Sequence, residues 1–94
     1  MTATTTGIQF RGKDPYGLAR SIGDALTHEG AGNFIGVYQS FGDKGERVYL
    51  VSAGVTPVFH LNPLLAEVTE RDEYVDVVLY TAPEIAQRVR EKLG

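Results

Sequence analysis

The sequence predicts one small two-layer α+β sandwich with the element order βαββαβ and an additional C-terminal helix. Three observations carry that expectation. A capped amphipathic segment follows a short alternating run near the start. Two runs rich in aromatic and β-branched residues flank a glycine-containing turn. A valine-rich strand then leads into a second capped segment.

Gly7–Gly12 alternates apolar and polar residues, which predicts a short strand with Ile8 and Phe10 inward. Asp14 is placed to cap the free N–H groups of a helix over Pro15–Glu29, and Pro15 suits the first helical position because its missing N–H has no partner there. Leu18, Ala19, Ile22, Ala25 and Leu26 form one apolar stripe, and Gly30 is expected to end the helix in a left-handed conformation. Asn33–Phe41 and Glu46–Ala53 then read as a β-hairpin around Gly42-Asp43-Lys44-Gly45. Both strands carry apolar residues on both parities, which predicts helices over one face of the sheet and a partner subunit over the other.

Pro57 removes a ladder donor, so residues 54–61 read as an edge strand or loop. Asn62 and Pro63 then mark the start of a second helix running to about Arg71, with Leu64, Leu65 and Val68 inward and Leu61 stapled onto Ala66. Tyr74–Tyr80 is the strongest strand, with Val75, Val77 and Leu79 on one face and Asp76 in need of solvent or a partner on the other. Thr81-Ala82-Pro83-Glu84 fits a capping box for a last helix whose buried stripe is Ile85, Val89 and Leu93. That order is the ferredoxin-like one plus a helix. It makes residues 7–94 a single α/β domain behind a flexible N-terminus of residues 1–6.

With 43% hydrophobic and 22% charged residues, the 94-residue chain is globular in composition, and a chain this short has room for one core. It has no cysteine, no secretory leader pattern and no membrane-length apolar run, so a cytoplasmic protein is expected. The net charge is −3 and the basic residues are scattered apart from Arg88, Arg90 and Lys92, so neither a nucleic acid nor a membrane is an expected partner. His28 and His60 lack companion ligands for a metal. No serine lies in a nucleophile elbow, and no glycine series forms a nucleotide loop, so neither catalytic residues nor a cofactor are expected.

The stretch Asp14-Pro15-Tyr16-Gly17-Leu18-Ala19, followed by Ile22, Leu26 and Gly30-Ala31-Gly32-Asn33-Phe34, resembles the ACT family of small amino-acid-sensing regulatory domains. That family shares the βαββαβ fold, a D-x-P-G-like loop before the first helix and a Gly-x-Asn-hydrophobic element after it. Here the second element has one residue inserted. The resemblance implies a regulatory, ligand-binding dimer whose amino-acid-like ligand is held by Asp14, Tyr16, Gly17 and Asn33. The residues themselves also admit one ordinary structural account, in which Gly17 packs against a strand. Asp14 is also an ordinary N-cap, and Asn33 an ordinary turn residue.

The aromatic residues suggest a homodimer interface over Tyr38, Phe41 and Tyr49. The leading expectation is therefore a non-catalytic ACT-like sensor acting as a dimer. The alternative is an adaptor or inhibitor module that binds a larger protein and no small ligand. A third reading is a small enzyme using His60 with a carboxylate.

Overall fold

The computed structural model describes residues 6–53 and 64–93. Five strands and two helices follow one another as β1 (Thr6–Phe10), α1 (Pro15–His28), β2 (Phe34–Phe41), β3 (Arg47–Ala53), β4 (Leu64–Glu70), β5 (Val75–Leu79) and α2 (Pro83–Leu93). The strands form one fully antiparallel sheet in the order β1-β5-β4-β3-β2. The fold is thus α+β, but its order is βαββββα. The ferredoxin-like βαββαβ expectation is wrong in both strand count and strand order.

The error lies at one place. The segment expected to be a helix from Pro63 to Arg71 is β4, paired with both β3 and β5. Along this strand Val51 sits opposite Ala66 while Ser52 sits opposite Leu64, so Leu65 is an extra residue in a β-bulge. Leu65 and Ala66 are consequently both buried, and Leu64, Leu65 and Val68 fall at the one- and four-residue spacing of a helical stripe. The expected Asn62–Pro63 helix start and the irregular segment 54–61 lie outside the described residues, as do residues 1–5. Thr6, assigned to the flexible N-terminus, pairs with Leu79 in β1.

Helix α1 follows its expected stripe: Leu18, Ala19, Ile22, Ala25 and Leu26 are all buried. Its end is closed by Gly30 at φ 79°, with the Gly30 N–H donating to the Thr27 carbonyl (3.0 Å) and the Ala31 N–H to the Leu26 carbonyl (2.9 Å). That paired pattern satisfies carbonyls the helix leaves free, and the left-handed backbone explains the glycine. Beneath α1 lie Tyr49, Val51, Ala66, Val68, Val75, Val77 and Leu79, one face of the three central strands.

Helix α2 packs against α1 and β1 through Ala86 and Val89. Ala82, rather than the expected Thr81, takes its N-cap position, its carbonyl accepting from the N–H groups of Ile85 and Ala86 at 3.0 Å. Glu29 at the end of α1 receives Arg88 Nε at 2.6 Å and Lys92 Nζ at 3.3 Å, so ion pairs join the two helices. Those hydrogen bonds hold the Glu29 carboxyl below the usual carboxylate range.

The opposite face of the sheet carries Val48, Leu50 and Val78, all half-buried, among Glu67, Thr69 and Asp76. Asp76 has the partner it needed, since Arg71 Nε lies 3.1 Å from its carboxylate. Tyr80 donates its hydroxyl to Glu67 at 2.8 Å. Burial first, and then this bond and the Glu67 charge, push the Tyr80 hydroxyl up to about 12.

Candidate functional site

The expected ligand loop folds as a helix cap. Asp14 has an extended backbone, and its carboxylate accepts the Gly17 N–H at 2.8 Å. This is an N-cap bond, made with the very donor a bound carboxylate would use. Tyr16 projects from the first turn with its ring 6.0 Å from that of Tyr49 in an edge-on arrangement at 68°. Asn33 stands at the other end of α1, immediately before β2. The 14 residues of α1 span about 21 Å, so Asp14 and Asn33 cannot grip one small zwitterion within a chain. Replacing Asp14 with alanine is expected to cost about 1 kcal/mol of stability, the ordinary value of a cap, read as a lowered urea midpoint with an unchanged slope.

Beside this cap, the β1–α1, β2–β3 and β4–β5 loops frame an open cleft of about 1130 Å³. Its lining sets Lys13, Lys44 and Arg71 against Glu46, Glu70, Asp72 and Glu73, one acidic residue in excess. Arg71 is committed to structure, with Glu46 at 3.0 Å and Asp76 at 3.1 Å. The Asp76 hydrogen bond is the leading cause raising its guanidinium above the ordinary value. Glu46 is held below its usual range chiefly by the Lys44 N–H on its side chain. Among the described residues no group of three or more His, Cys, Asp or Glu is placed to hold a metal. His28 is exposed in the last turn of α1, and His60 lies outside the described residues. Among those residues no helix is long and apolar enough to cross a membrane.

The expected interface residues separate. Tyr49 is buried under α1, whereas Tyr38 and Phe41 are 51% and 64% exposed on β2, an edge of the sheet. Ile35, on the same strand, is 43% exposed at a second bulge, where Phe34 pairs with Ala53 and Gly36 with Ser52. From Gly36 to Phe41 the strand is regular.

Which backbone groups this edge presents follows from its turn. The Gly42 N–H donates to the Glu46 carbonyl at 2.8 Å and the Gly45 N–H to the Gly42 carbonyl at 3.0 Å, with Gly45 at φ 80°. This is a three-residue hairpin loop closed by a glycine bulge, and it makes Gly42 and Glu46 a hydrogen-bonded pair. Bonded and non-bonded pairs alternate along an antiparallel ladder. Gly36, Tyr38 and Ser40 therefore bond inward to β3, and Val37, Gln39 and Phe41 turn their N–H and C=O groups outward.

Tyr38 and Phe41 are legible from side-chain character, whereas Val37 and Gln39 are not, because what they turn outward is backbone. A signal for them was present. Phe34–Phe41 contains neither a charged residue nor a proline, the usual devices that keep an edge strand from pairing. Compared with known proteins, the chain matches no family model, no curated protein and no solved structure.

Proposed function

We propose that this chain is a non-catalytic interaction module that engages a protein partner by strand addition along β2. The observation that carries this reading is the edge itself: eight residues without a charge or proline, pairing only with β3 among the described residues. Main-chain bonds supply affinity in strand addition, and side chains alternating along the edge supply selectivity. On this edge Ile35, Tyr38 and Phe41 are the exposed large apolar or aromatic side chains. Small-ligand sensing lacks comparable support, because Asp14 is occupied by Gly17 and stands a helix length from Asn33.

A defined probe tests the reading. An end-blocked peptide of alternating threonine and valine, titrated at millimolar concentration, is expected to shift the backbone amides of Val37, Gln39 and Phe41. A panel of free amino acids should leave residues 14–18 and Asn33 unmoved. Shifts at those residues with no response along β2 would overturn strand addition in favour of sensing.

A further inference from the structure

We propose that the partner of β2 is β2 of a second copy, joined antiparallel about a twofold axis at Gln39. This inference rests on the edge reading above and supplies its partner. The outward backbone groups belong to Val37, Gln39 and Phe41, spaced evenly along the regular part of the strand. Only hydrogen-bonding positions can face one another as bonded pairs across a new antiparallel ladder. The register that engages all of them sets Gln39 opposite Gln39 of the second copy, with Val37 opposite Phe41 on either side.

That register suits the side chains. Phe41, the most exposed of the large apolar residues among those described, meets the aliphatic Val37 on the helix-side face, and the same pair recurs across the axis. Tyr38 falls beside Ser40 on the other face. A twofold axis also brings each charge near its own copy, a penalty that β2 escapes because it carries none. The other edge, β1, is only five residues long and runs into Arg11 and Lys13. Pairing β2 with β2 closes the assembly, whereas β1 with β2 would grow an open fibre.

A strand-to-strand contact is small, so the association is weak and is best read at about 100 μM chain. Light scattering on the full chain is expected to give twice the 10.2 kDa chain mass, falling toward 10.2 kDa on dilution. Gln39→Pro removes an outward N–H without touching the β2–β3 ladder, so it should leave a folded monomer. Gln39→Glu and Gln39→Lys should each dissociate through like charges on the axis, and mixing the two variants should restore the dimer.

A monomeric wild type at that concentration overturns self-pairing. So does a dimer indifferent to Gln39→Pro, or a mixture of the charged variants that stays monomeric. If the wild type is monomeric yet the threonine–valine peptide still binds β2, the edge reading stands and only the partner is wrong. If neither associates, both fall.

Discussion

Val89→Asp is expected to destabilise the protein by about 3 kcal/mol or more, the largest effect of any substitution considered. Val89 is fully buried where α2 meets α1, and a carboxylate there would lose its hydration with no cationic partner in the core. For a domain of this size such a loss lowers Tm by roughly 12–24 °C. Arg88 and Lys92 are already bound to Glu29 on the solvent side, so neither can follow the new charge inward without breaking those pairs. Thermal and urea unfolding check this together. A midpoint within experimental scatter of the wild type would mean that α2 does not dock on the domain.

Gly23→Ala should also destabilise, against the ordinary helix preference. In an open helix the change gains up to about 1 kcal/mol. Here the added Cβ would lie 2.5 Å from the Phe34 ring carbons Cγ and Cδ1, well inside contact distance. The ring has little freedom to retreat. The Phe34 N–H donates to Thr27 Oγ1 at 2.9 Å, which anchors its backbone beside α1, and the Arg20 guanidinium sits over the ring at 5.7 Å from the centroid. Overpacking costs about 1–3 kcal/mol, so the steric term is expected to win by ~1 kcal/mol. Shortening the partner with Phe34→Leu should recover most of that loss, and the coupling is read from a double-mutant cycle in urea. Additive effects of the two substitutions would show that the ring does not rest on Gly23.

Local rules recovered most elements because their signals are local. Asp14, Pro15 and Gly30 mark α1, the turn at Gly42–Gly45 marks the hairpin, and alternating valines mark β5. The topology failed where a bulge broke the alternation. Leu65 inserted into β4 made Leu64, Leu65 and Val68 resemble a helical stripe, and only pairing with β3 and β5 distinguishes the two. That single misreading turned a sheet whose β2–β5 form a meander, with β1 added beside β5, into a ferredoxin-like order and lent the ACT resemblance a fold that the chain does not have. The site was partly legible for a related reason. Side-chain character exposed Tyr38 and Phe41, but Tyr49 needed the sheet parity to be recognised as core, and the outward backbone of Gln39 needed the ladder alternation.

The central claim is that β2 offers an open row of backbone donors and acceptors, and amide hydrogen exchange in the dilute, monomeric protein measures this most directly. Inward amides at Gly36, Tyr38 and Ser40 should be protected, while those of Val37, Gln39 and Phe41 exchange near the rate of an unstructured peptide. Raising the chain concentration should then slow that outward set alone. Equal protection of both sets in the dilute monomer would mean that the edge is already covered by the chain itself, and would contradict the account.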